Sequence, residues 1–162
     1  MTDRAESEGF TTEELETWSA VATMLEWLPA ALDAQLRRDA GVSHFEFGIL
    51  FALQQAEERT LRMSALAGFA NSTLSRLSRA VARLEGHGWV SRRPDPADGR
   101  ITLASLTEEG DAAVRSALPG HVELVRRLIF TPLAGAEAKQ LAASARAVTG
   151  AIRSEPGWAA PV

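Results

Sequence analysis

Between Ser72 and Glu85 the chain sorts its side chains onto two faces with helical spacing. Leu74, Leu77, Val81 and Leu84 recur at intervals of three and four and make an apolar stripe fit for a core. Ser72, Ser75, Arg76, Arg79 and Arg83 fall on the other side, a surface of hydroxyl and guanidinium donors without an acid. Asn71 or Ser72 supplies an N-terminal cap, and Gly86-His87-Gly88 stops the helix. The preceding apolar segment, Met63–Ala70, is too short to stay helical alone and must pack between neighbours. Helix, short turn and second helix make a helix-turn-helix, whose second helix enters a duplex major groove by its N-terminal end. There Arg pairs with guanine O6 and N7, while Ser and Thr reach bases or phosphates. Ser72, Thr73, Ser75 and Arg76 are therefore candidate base readers, with Arg62 and Arg79 as further candidate DNA contacts. The plainer alternative is a solvated amphipathic helix.

A hairpin pattern follows and adds an independent sign. Trp89–Arg93 and Ile101–Leu106 read as two strands, separated by the turn-rich loop Pro94–Gly99, which is too long for a tight hairpin. Arg92, Arg93 and Arg100 flank that loop, and a narrow minor groove has the negative potential that attracts an inserted arginine. Asp98 is placed to pair with Arg100 and steady the loop. In water such a pair contributes only about 0–1 kcal/mol, so its value lies in orientation.

The net charge of −4 argues against nucleic acid only until it is divided along the chain. Residues 1–58 carry 3 basic and 12 acidic side chains, whereas residues 59–100 carry 8 arginines against 3 acids. A basic block thus sits inside an acidic molecule, and the acidic flanks weaken non-specific attraction to phosphate. With 46% hydrophobic residues the chain has material for a true core. The absence of cysteine excludes disulfides, zinc–thiolate sites and thiol redox chemistry. The N-terminus is acidic where a signal peptide would be basic and then apolar, and the longest apolar stretch, Phe47–Leu53, is far too short for a bilayer. A cytoplasmic protein with no membrane partner is expected.

Long helices flank the basic block. Thr11 and Glu14 have capping-box spacing and open a helix to about Arg38, with an apolar stripe of Trp18, Val21, Leu25, Leu28, Leu32 and Leu36 and a bend at Pro29. Ser43 and Glu46 repeat the spacing and open a second helix. Thr107-Glu108-Glu109 caps another, kinked at Pro119-Gly120 and ended by Thr131-Pro132, and an alanine-rich helix spans about Ala134–Arg153. The expected fold class is mainly α with a small β-wing. A flexible N-terminus (1–11) leads into one domain (12–154). Within it a winged helix-turn-helix lobe (43–107) is flanked by dimerisation helices (12–40 and 108–154). Residues 155–162 form a flexible tail whose Trp158 is a candidate for docking on a partner.

Ser64–Gly110 resembles the core of the MarR family of winged-helix regulators. Asp98-Gly99-Arg100, Leu106-Thr107 and Gly110 resemble that family's wing signature, and Leu66-Ala67, Arg83-Leu84-Glu85 and Gly88-Trp89-Val90-Ser91-Arg92 its other short markers. Two positions depart from the pattern: Ala104 stands for a branched aliphatic residue, and Gly99 for a second wing arginine found in some relatives. The resemblance implies a homodimer with interleaved terminal helices, binding double-stranded DNA at a roughly palindromic operator, as a ligand-responsive repressor. By the motif match, Arg100 is the wing-tip arginine and Arg92 a supporting phosphate contact. It also implies a cleft for a small aromatic or anionic effector, which Trp27, His44, Phe47, Phe51 and His121 are candidates to line; plain core packing is the competing account of the aromatics.

Nothing in the sequence supports catalysis. The three histidines lack metal-ligand spacing, and no phosphate-binding glycine loop or serine elbow is present, so neither metal nor cofactor is expected. The rival to a DNA-binding regulator is a protein-interaction module that kept the winged-helix scaffold, for which the arginine block would be superfluous.

Overall fold

The computed structural model describes residues 9–156; the expectations for residues 1–8 and for Trp158 lie outside them. Helix α1 (Thr12–Ala40) opens on a reciprocal cap, with Thr11 Oγ1 accepting from the Glu14 amide and Glu14 Oε2 from the Thr11 amide. It runs through Pro29 without interruption and ends at Gly41, whose φ of 71° is left-handed and whose N–H donates to the Arg37 carbonyl. Only the C-terminal half of the expected apolar stripe finds a core: Leu32 and Leu36 are buried, while Trp18, Val21 and Leu25 stay in solvent. Helix α2 (His44–Gln55), capped reciprocally by Ser43 and Glu46, carries Phe47, Ile49, Leu50 and Leu53 into that core.

The polar link after α2 holds a turn, Glu57–Arg59, and a short strand, β1 (Thr60–Arg62). Glu58 and Arg59 take φ of 49° and 53° in that turn, a conformation that costs side-chain-bearing residues about 1–3 kcal/mol each. Arg59 is held there by Glu108 at 3.1 Å and Asp111 at 3.3 Å. Helices α3 (Met63–Phe69) and α4 (Leu74–Gly86) follow, then β2 (Val90–Pro94) and β3 (Thr102–Leu106). The sheet has three antiparallel strands in the order β1-β3-β2, one more than the two-stranded hairpin read from the sequence. β1 pairs with β3 from Thr60↔Ser105 to Arg62↔Leu103, and the two hydroxyls at the first pair lie 2.8 Å apart.

Helix α5 (Glu108–Val125) packs on α1 and α2 and passes Pro119 unbroken. It continues into a wider turn, Arg126–Phe130, in which the Thr131 amide reaches back to the Arg126 carbonyl. Gly110 is required in its first turn, because a Cβ there would collide with the Trp89 carbonyl oxygen and lie 2.7 Å from Leu106 Cδ1. Helix α6 (Gly135–Ser154) buries none of its residues within the chain. Leu36, Leu50, Leu53, Leu66, Leu77, Val81, Leu84 and Val114 make the centre of the one core, so α2–α5 and the sheet form a single packed lobe. No helix among the described residues is long and apolar enough to cross a membrane.

Candidate nucleic-acid interface

The turn between α3 and α4 is made by Asn71, with φ of 43°, and by the Ser72 amide donating to the Ala67 carbonyl. The cap of α4 is Thr73, not Asn71 or Ser72: its Oγ1 accepts from the Arg76 amide at 3.2 Å. Ser72 is only 2% exposed, with its hydroxyl turned to the Thr73 carbonyl, which removes it from the candidate base readers. Leu74 corrects the sequence reading in the other direction. It was expected in the core and is 45% exposed, because the buried stripe is Leu77, Ala80, Val81 and Leu84. Ser75, Arg76 and Arg79 lie on the exposed surface of α4, whose first turn contains no acid.

Two arginines of α4 are held by the first turn of α2. The Arg76 guanidinium lies over the Phe45 ring, and Arg83 Nε donates to Glu46 Oε1 at 2.6 Å. Glu46 is buried and also accepts from the Ser43 amide and hydroxyl at 2.8 and 2.7 Å. Burial pushes its carboxyl up, but the donors from Ser43 and Arg83 outweigh that and hold it below the usual glutamate range. Arg83 is therefore an anchor for α4.

The β2–β3 hairpin is fastened to the same helix. The Arg92 amide and Nε donate to Glu85 at 3.0 and 2.8 Å, and its Nη1 donates to Ser78 Oγ at 3.2 Å. Through these donors Arg92 braces the wing against α4, with 30% of its side chain still in solvent. At the tip Arg100 has 92% of its side chain in solvent. Its backbone amide, Nε and Nη2 all donate to Asp98 at 3.1 Å, and these hydrogen bonds hold the Asp98 carboxyl below its usual range. Arg62, at the end of β1, approaches Asp95 of the wing loop at 3.6 Å. Arg93 is exposed on β2. The lobe thus exposes Ser75, Arg76 and Arg79 on a helix and Arg93 and Arg100 on the hairpin that follows it.

The family model for the MarR family matches residues 42–102, the segment from α2 through β2 and the wing loop. Sco3205 of Streptomyces coelicolor, a MarR family transcriptional regulator solved in complex with DNA, is 42% identical over 94% of this chain and 97% of its own, with a TM-score of 0.90. The chain belongs to the MarR family. Among curated relatives, the uncharacterized HTH-type transcriptional regulator YdcH of Bacillus subtilis (strain 168) is 34% identical over 91 residues, 55% of this chain and 61% of its own length. The HTH-type transcriptional repressor YetL of the same organism is 36% identical over 81 residues, 50% of this chain and 48% of its own length. The chain thus spans about half to three fifths of the curated relatives it matches. Family and fold are those of transcriptional regulators and not of enzymes.

In this MarR-family chain the five residues expected around an effector cleft do not share one cavity. A cavity of about 890 Å3 lies between α1, α2 and the helix-turn-helix and is lined by Asp33, His44, Phe45, Phe51, Phe69 and Arg76, among others. A second, of about 430 Å3, is lined by Phe47, Phe51, His121 and Phe130, with residues of α5. Trp27 lines neither and is 74% exposed on α1. His44 and His121 stand 5.9 Å apart by ring centres, between the two spaces. Burial, with a smaller contribution from His44, pushes the His121 imidazole below the usual histidine value. Sequence reasoning missed Phe45, Ser78 and Glu85, and read Glu46 as a cap alone. Their partners are set by packing between α2, α4 and β2, so spacing along the chain carries no signal for them.

Proposed function

We propose that this chain is a homodimeric regulator that binds double-stranded DNA in a sequence-specific way, with α4 in the major groove and the wing at the flanking minor groove. The observation that carries the reading is the exposure of Ser75, Arg76 and Arg79 on α4, whose first turn has no acid, together with that of Arg93 and Arg100 on the wing. The solved DNA complex of Sco3205, similar over nearly its whole length, supports the same use of the fold. A dimer is supported by the unpartnered apolar side chains of both terminal helices, from Trp18 to Trp27 on α1 and at Val148 and Ile152 on α6. Two recognition helices would then sit one duplex turn apart, about 34–36 Å, on a roughly palindromic operator.

Repression is the mode that the name of YetL gives for that protein, and it is the mode proposed here. The larger cavity supports a small-molecule effector, since Arg76 stands in its wall and on the DNA-facing helix at once. The deciding experiment measures binding of the purified chain to the DNA upstream of its own gene, across salt concentrations and against scrambled duplex. Tight selective binding that weakens steeply with salt is expected. Equal binding to both duplexes would remove the sequence-specific reading, and no binding at low salt would put the protein-interaction module in its place.

A further inference from the structure

Large apolar side chains left in solvent among the described residues fall into distinct groups. Seven, from Phe10 to Trp27, precede Pro29, and four, Leu128, Phe130, Val148 and Ile152, follow Val125. Their members from Trp18 to Trp27 and at Val148 and Ile152 lie on the terminal surfaces proposed above for the dimer, and Phe130 lines the second cavity. Phe51 and Phe69 line cavities. Leu74 belongs to none of these: it lines neither cavity, takes no part in the core cluster and sits on the lobe itself. It occupies the first position of α4, between the capping Thr73 and Ser75, with Arg76 in the same turn and Arg79 in the next.

A recognition helix meets base edges with its N-terminal residues, and of the groups displayed in a major groove only the thymine 5-methyl is apolar. An exposed leucine at that end, beside cations that neutralise phosphate and with no acid in the turn, has one matching surface on a duplex. We propose that Leu74 reads the 5-methyl group of a thymine in each operator half-site. This inference rests on the DNA-binding reading given above. Burying one methyl against a leucine changes affinity about three- to fivefold.

The test uses the full chain to select duplexes from a random-sequence pool. Each thymine of the selected duplex is then replaced in turn by deoxyuridine, which removes the methyl and leaves every hydrogen-bonding group in place. One replacement per half-site should weaken the wild-type chain about three- to fivefold. Leu74→Ala, with an unchanged melting temperature, should bind the thymine and deoxyuridine duplexes equally. Indifference of the wild type to every replacement would overturn the inference. So would a Leu74→Ala chain that keeps the wild-type discrimination, because another side chain would then be reading the methyl. A pool that yields no preferred sequence would remove the sequence-specific reading on which the inference rests, and Leu74 readout with it.

Discussion

The Arg76 guanidinium lies 4.4 Å from the centre of the Phe45 ring, so an exposed arginine in the first turn of α4 is held by an aromatic of α2. Such a contact at an exposed site contributes about 0.5–1 kcal/mol. If Arg76 pairs bidentately with a base, Arg76→Ala should cost about 1–3 kcal/mol and relax preference at one base pair of each half-site. Phe45→Leu keeps the apolar contact without the ring and should lose less affinity at the same base pair. Titration of duplexes altered one base pair at a time reads both. An equal loss on all sequences would place Arg76 on phosphate instead.

Glu46 joins the start of α2 to Arg83 of α4, and its removal should loosen both. Glu46→Ala takes away the acceptor for the Ser43 amide and hydroxyl and for Arg83 Nε. A loss of about 1–2 kcal/mol is expected, read as a lower urea midpoint. A carboxyl held below its unfolded value stabilises the fold above that value, and the contribution is lost as pH falls through the folded one. The variant should therefore lose less stability than the wild type on acidification below about pH 4.5.

Arg100→Ala should weaken operator binding with the melting temperature unchanged, because the side chain stands clear of the lobe. If it contacts a phosphate, the slope of log affinity against log salt should fall by about 1. An unaltered slope and affinity would take the wing tip out of the interface. Asp98→Ala tests orientation separately, since it frees Arg100 without removing its charge.

His121 makes stability depend on pH in the same sense as Glu46 but over a higher window. Its folded pKa lies below the unfolded value near 6.5, so the neutral ring is the native form. That contribution is complete above about pH 6.5 and is lost as pH falls toward the folded pKa. The melting temperature should drop over that window, and His121→Asn should flatten the drop. A profile as steep as the wild type's would assign the titration to another group.

Gly110→Ala should be among the most damaging single-methyl changes in the lobe. The added Cβ meets the Trp89 carbonyl and Leu106, backbone and core that cannot yield cheaply. Overpacking of this kind costs about 1–3 kcal/mol, and chemical denaturation should show it. A neutral result would mean that the α5–β2 junction is looser than this packing.

What the chain's spacing made legible was whatever depends on neighbours along it. The Leu77, Val81 and Leu84 stripe and the Ser43–Glu46 cap are of this kind. Asn71 and Ser72 were read as the cap because both can serve, and only the backbone of the turn brings the Thr73 hydroxyl to the Arg76 amide instead. Strand β1 was invisible because three residues carry no period; it exists by pairing with β3, some forty residues on. Arg92 reads as a surface cation until β2 folds back on α4 and brings Glu85 beneath it. Charge is written in the sequence, but what neutralises it is written in the packing.

The Arg92–Glu85–Ser78 brace has a consequence for the operator. It couples the wing to the recognition helix, so on the DNA-binding reading the two reach the duplex as one gauge of fixed span. A base pair inserted between the stretch under the helix and the stretch under the wing would then put both out of phase together. Variation among natural binding sites should accordingly gather between half-sites, where the dimer has its own freedom, and be scarce within them.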